Sequence, residues 1–241
     1  MPEPTGALLA LRASTADLLR DLEASAWSDA EVAAASLCAG WTRGHVLTHL
    51  ARNADGIAAT LSGALRGEVV ARYPGGQAGR DAAIAAGAGR AFGVLVADVR
   101  SSAERLDRVL GAVHDAGAWD AVTDEHQVAA DWVFARLREV EVHHVDLAAG
   151  YSPRQWPPLL VRELLPELAE SLAARTTRPL RLTVAGEGSV VPELAGKQWT
   201  TPGAPADEVT APDWALLAWL TGRSAAAVDA LPSAPALPPC R

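Results

Sequence analysis

The chain has 241 residues, 49% of them hydrophobic and 21% charged, with a formal net charge of −8 at pH 7. That length buries a sizeable core in one large domain or two modest ones. An acidic chain without a Lys/Arg run argues against a nucleic-acid partner.

Cys38 and Cys240 are too far apart for a disulfide framework, and neither has metal-ligand spacing. The N-terminus has no basic leader, and no apolar run approaches membrane-spanning length. The expectation is a cytoplasmic monomer with no membrane or nucleic-acid partner.

From Thr5 to about Ser25, Leu8, Leu9, Leu11, Leu18, Leu19 and Leu22 recur at helical spacing. A second helix is predicted from Thr42, its N-cap, to about Leu65. "RYPGGQAGR" reads as a loop. A third helical segment spans about Asp81 to Val113, bent near Gly87 and Gly89, and a fourth spans about Ala129 to Ala149 before Gly150. Four long amphipathic helices in a row predict a bundle.

Beyond Gly150 the character changes. "YSPRQWPPLL" reads as a linker, and a helix follows at about 158–175. "LRLTVAG", "GSVVPEL" and "KQWTTPG" read as strands, "APDWALLAWLTGR" as a helix, and "LPSAPALPPCR" as a Pro-rich tail. The expected fold is α+β, with an all-helical domain over 1–150 and a small α/β domain over 151–241.

The segment "LREVEVHHVDL" places charged and titratable groups on an apolar background, where a buried charge needs a partner. Residues four apart share a helix face, so Glu139 and His143 point the same way, with Asp146 and Arg136 near that direction. His144 falls on the packing stripe of Val133, Leu137 and Val140 and reads as a hydrogen-bonded core histidine, whereas Glu141 reads as a rim carboxylate.

His45 and His49 form a second four-apart pair on another helix. One histidine from that helix, with a glutamate and a histidine from the other, gives the ligand count of a catalytic zinc site. The same spacing also describes a Glu–His ion pair inside a bundle, and spacing alone does not decide between the two. The tryptophans, Trp41 and Trp132 among them, read as core anchors.

"GWTRGHVLTHLARNADGI" and "RLREVEVHHVDLAAGY" resemble the two signature segments of the mycothiol-dependent maleylpyruvate isomerase family, within the DinB-like group of metal-binding four-helix bundles. "YPGGQAGRDAAIAAGAGR" and "LLAWLTGR" resemble two further segments of that family, in the same order. The resemblance implies a DinB-like four-helix bundle followed by a small C-terminal α/β domain, and a zinc ion held by His49, Glu139 and His143, although ligand type alone also admits Fe²⁺, Ni²⁺ or Mn²⁺. It also implies mycothiol as a low-molecular-weight thiol cofactor, a small anionic substrate, and a functional role for Arg223.

The implied reaction turns maleylpyruvate into fumarylpyruvate. Rotation about the carbon–carbon double bond is blocked until a thiolate adds to it, and elimination then returns the thiol. Arg223 would grip a substrate carboxylate with its planar fork; without the resemblance it reads as a cation at a helix C-terminus. A mycothiol S-transferase needs the same thiolate. A non-enzymatic metal- or thiol-binding protein would instead close the metal with a fourth protein ligand, such as His45 or His144.

Overall fold

The computed structural model describes residues 3–124, 127–176, 179–205, 207–223 and 231. The chain divides into two compact units, Met1–Ala149 and Gly150–Arg241. Cys240, His126 and most of the Pro-rich tail lie outside the described residues.

The first unit contains α1 (Pro4–Ser25), α2 (Asp29–Ala33), α3 (Arg43–Ala64), α4 (Gly76–Gly87), α5 (Phe92–Asp115) and α6 (Ala129–Asp146). The four long helices form the bundle. Arg52 with Asp98 and Arg105 with Asp55 set α3 and α5 parallel. Arg12 with Asp107 and Glu23 with Arg100 set α1 against α5 antiparallel. Asp21 beside His144 brings together the C-terminal ends of α1 and α6. Parallel α3 and α5 require a long return connection, and α4 rides on it.

The core is the apolar stripe of each helix, with Leu11 and Leu18 of α1, Leu50 and Leu61 of α3, Leu95 and Leu110 of α5, and Leu137 and Val140 of α6 all buried. Each such side chain contributes about 2 kcal/mol of apolar burial. Thr42 caps α3: its hydroxyl accepts from the His45 backbone N–H, and the His45 ring returns to the Thr42 N–H.

Two glycines on α3 let the return connection lie directly on the helix backbone. A Cβ at Gly44 would stand 2.0 Å from the Ala88 carbonyl oxygen, and one at Gly56 would stand 2.6 Å from that of Arg72.

The predicted loop "RYPGGQAGR" is only half a loop, because α4 begins at Gly76. The predicted segment 81–113 is two helices: the chain breaks after Gly87, where the Arg90 side chain donates to the Gly87 carbonyl, and restarts at Phe92. The short helix α2 was not anticipated. It has its own capping box between Ser28 and Glu31.

The second unit contains α7 (Pro158–Glu170), α8 (Leu172–Arg175), β1 (Leu180–Val184), β2 (Gln198–Thr200), β3 (Asp207–Ala211) and α9 (Asp213–Leu220). The expected linker holds a turn of 3₁₀ helix at Pro153–Gln155. The sheet order is β2-β1-β3, with β1 antiparallel to β2 and parallel to β3. Leu182 sits opposite Trp199 on one side and Val209 on the other.

"GSVVPEL" is not a strand. The backbone N–H groups of Val190 and Val191 donate to the Asp213 carboxylate rather than to a sheet, and Pro192 has none to give. β3 escaped the sequence reading because "DEVTA" shows only Val209 and Ala211 as an apolar alternation. All eight residues of α9 are buried, so no amphipathic stripe marks it. A mostly helical unit followed by one with a small sheet is the α+β architecture expected. Among the described residues, no helix is long and apolar enough to cross a membrane.

Candidate metal centre

α3 and α6 run antiparallel, and their facing turns bring His49, Glu139 and His143 together. Each offers one ligand atom, and all three atoms lie within 4.8 Å of one another. His49 Nε2 is 2.8 Å from Glu139 Oε2, and His143 Nε2 is 3.4 Å from the same oxygen. The two imidazoles meet edge to face, with ring centroids 4.6 Å apart. The side chains of His49, Glu139 and His143 are 3%, 26% and 12% exposed, so the group opens to solvent on the carboxylate side.

His143 is oriented by Asp146, whose fully buried carboxylate accepts from Nδ1 at 2.8 Å and turns Nε2 toward Glu139. A carboxylate behind a ligating imidazole fixes the tautomer and raises its basicity. Burial alone would lower the His143 pKa; the hydrogen bonds to Asp146 and Glu139 outweigh it and raise the pKa. Burial likewise pushes the Glu139 carboxyl up, but the two histidines hold it well below the usual carboxylate range. Burial lowers His49 to about 4, against the pull of Glu139.

The three groups thus share protons around one oxygen. Two imidazole nitrogens and one carboxylate, converging with a buried carboxylate behind one ring, are a donor set that fits a divalent cation.

Two residues around the triad were missed or misread. Trp41, expected in the core, is half-buried and lies over the histidines: its ring centroid is 5.3 Å from that of His49 and stacks with His143 at 6.2 Å. Arg80, from α4, reaches over Trp41, and its Nη2 donates to His49 Nδ1 at 3.2 Å. An imidazole that accepts at Nδ1 carries its proton on Nε2. A neutral His49 that ligates through Nε2 carries it on Nδ1 and so has no acceptor for Arg80 there. Arg80 is therefore a cation that cation binding at the triad would release. Its only sequence signal was position in "GGQAGR", within a connection that the two α3 glycines hold close.

His45 stays at the α3 cap, with Nδ1 2.7 Å from the Thr42 hydroxyl. His144 is buried, with Nε2 3.3 Å from Asp21. Neither belongs to the ligand group found among the described residues. Glu141 is not a rim carboxylate; it is 2% exposed. Helix α6 is covered nearly all round, leaving Arg138 as the one exposed residue between Asp131 and Asp146. Arg223 belongs to the second unit, just beyond α9. Its backbone N–H donates to the Ala218 carbonyl at 2.6 Å and its guanidinium to the Thr221 carbonyl, as a C-terminal capping cation does.

The family described as the mycothiol maleylpyruvate isomerase N-terminal domain matches residues 8–148. No curated protein matches the sequence. Two solved structures share the fold at 24% identity, each alignment covering 99% of this chain and 98% of the other. One is described as the mycothiol-dependent maleylpyruvate isomerase, with a TM-score of 0.83, and the other as a mutant of that enzyme, with a TM-score of 0.82. With the family match spanning the whole bundle, from α1 to the end of α6, this chain belongs to the mycothiol maleylpyruvate isomerase N-terminal domain family.

Proposed function

We propose that the chain is a zinc- and mycothiol-dependent cis–trans isomerase that converts maleylpyruvate to fumarylpyruvate, with the bundle of residues 1–150 holding the metal and residues 151–241 contributing Arg223. The observation that carries this reading is the triad itself: three convergent donors, an opening on the carboxylate side, and no fourth protein ligand among the described residues. A closed, purely structural or sensing site would need that fourth ligand. Here both histidine candidates for it are engaged elsewhere. Family membership and the fold shared with structures described as this isomerase support the same reading.

His49, Glu139 and His143 would hold the cation. When bound, zinc and the thiol together supply a thiolate at neutral pH, able to add reversibly to the substrate double bond so that it rotates as a single bond. The protein's part is orientation and charge. Asp146 keeps the His143 ring turned toward the triad, and Trp41 walls off one side of it. Arg80, freed from His49 when the cation binds, leaves a positive charge on α4 available to an anion near the triad. Arg223 is assigned to a substrate carboxylate, which a guanidinium grips through two parallel hydrogen bonds.

The zinc-loaded protein, incubated with mycothiol and maleylpyruvate, should release fumarylpyruvate with no net loss of thiol. Stoichiometric thiol consumption would favour the S-transferase reading, and no turnover of either kind would favour a binding protein. Arg223→Lys keeps the charge and loses the fork, so kcat/KM should fall about 30- to 1000-fold, equivalent to about 2–4 kcal/mol, with zinc content unchanged. Near-normal turnover in Arg223→Lys and Arg223→Ala would leave the residue as a helix cap only.

A further inference from the structure

The bundle has a second buried charge, and it is not part of the triad. Arg136 on α6 is 2% exposed. Its Nη1 donates to the Leu50 carbonyl at 2.9 Å and to Asn53 Oδ1 at 2.8 Å, both neutral acceptors on α3. Nε and Nη2 have no hydrogen-bond partner, and no carboxylate lies within ion-pair distance, among the described residues. Burial pushes the guanidinium down to about 10, with Glu139, Tyr73 and Asp55 opposing that shift from farther away. A buried cation without a direct counter-ion is costly, and a bound carboxylate would relieve that cost.

Arg136 also lines a cavity. Of the neighbouring helix pairs in the bundle, α1 and α5 are the least closely packed, and between them lies a space of about 230 Å³. Its walls are mainly apolar, with Leu11, Leu19, Leu106 and Leu110 among them, and Arg136 reaches it from across the bundle. At its rim, Arg12 pairs with Asp107 at 2.7 Å, both about half exposed, and Glu104 stands beside them. A cavity of about 150 Å³ lined by aliphatic side chains is enough to admit benzene. The larger space here has room for such a ring and a carboxylate.

We propose that this cavity binds a small aromatic monocarboxylate, with its ring between α1 and α5 and its carboxylate against the Nε and Nη2 edge of Arg136. The acid enters carboxylate first, because the rim, where Arg12 offsets Asp107 and Glu104 remains, carries no net positive charge to hold an anion, while Arg136 attracts one within. The aliphatic walls exclude water from the ring, and the planar guanidinium matches a carboxylate edge. The site is separate from the triad and does not depend on the reaction proposed for it.

Benzoate is the probe, and benzamide is its neutral counterpart. Calorimetric titration of the metal-loaded protein should show one saturable benzoate site, with benzamide weaker by about tenfold or more. Ring protons of bound benzoate should show contacts to the methyl groups of Leu11, Leu106 and Leu110. Arg136→Met should erase the preference for the anion. Should that variant fail to fold, Ala103→Phe fills the cavity while leaving Arg136 and the triad in place, and it should weaken benzoate by about tenfold or more. Equal affinity for benzoate and benzamide, undiminished binding in Ala103→Phe, or no saturation at all would overturn the proposal. So would benzoate contacts at His49 and His143 in place of the leucines, which would identify the metal centre as the binding site.

Discussion

Two carboxylates, one in each unit, show what separates a site from a support. Asp213 is fully buried, and its oxygens accept from the backbone N–H groups of Val190, Val191 and Trp214. Nothing is left over: the group starts α9 and ties the 189–191 turn to it. Glu139 is a quarter exposed and bonded to two histidines from two helices, which themselves converge on it. Its partners are ligand atoms rather than backbone, and one side stays open. A carboxylate with several hydrogen-bond partners is common to both residues. Convergence of donors at an opening belongs only to Glu139.

Removing the support should do the greater damage to the fold. Asp213→Ala leaves three N–H groups without their acceptor, at about 1–3 kcal/mol for each that stays buried. Denaturant unfolding should show a loss of about 3 kcal/mol or more, with metal content of the folded protein unchanged. A loss below about 1 kcal/mol would mean that water replaces the carboxylate and that Asp213 is no support.

Asp146→Asn should act in the opposite sense, sparing the fold and loosening the site. Without the charged acceptor behind His143, metal affinity should fall about 10- to 100-fold. Competition against a chelator measures this, and an unchanged affinity would detach Asp146 from the site.

The smallest effect is expected at Asp98, an ordinary ion-pair residue. Burial pushes its carboxyl up, but Arg90 and Arg52 more than offset this and hold its pKa below the usual aspartate value. A depressed folded pKa gives stability that is present above the unfolded pKa and lost as the pH falls through the folded one. Asp98→Asn should therefore destabilise by about 1 kcal/mol or less at neutral pH and be indistinguishable from wild type in strong acid. Urea midpoints taken across the acid range test this, and a difference that widened toward low pH would reverse the sign.

Much of this was legible in the sequence, for identifiable reasons. Helical spacing marks the four bundle helices, and Thr42 marks the start of α3 because a hydroxyl there has a backbone N–H to accept. The four-apart rule pairs Glu139 with His143, and the family resemblance chose His49 over His45. Spacing could not make that choice, because nothing in "HVLTH" states that His45 is occupied at the helix cap.

The misreadings share a cause, which is contact at long range. "GSVVPEL" is strand-like until Asp213, more than twenty residues away, takes its N–H groups. Glu141 is polar on a helix whose neighbours cover almost every face. Arg80 reaches the triad from a return connection that is pressed onto α3, and Trp41 lies over it from the turn just before α3.

The most direct test of the account is the metal content of four purified proteins, the wild type and its His45→Ala, His49→Ala and His143→Ala variants, measured after dialysis against trace zinc. Wild type and His45→Ala should each retain about one zinc per chain, while His49→Ala and His143→Ala, having lost one of three ligands, should retain almost none. Stoichiometric zinc in both His49→Ala and His143→Ala, or its loss from His45→Ala, would contradict the triad as the metal centre.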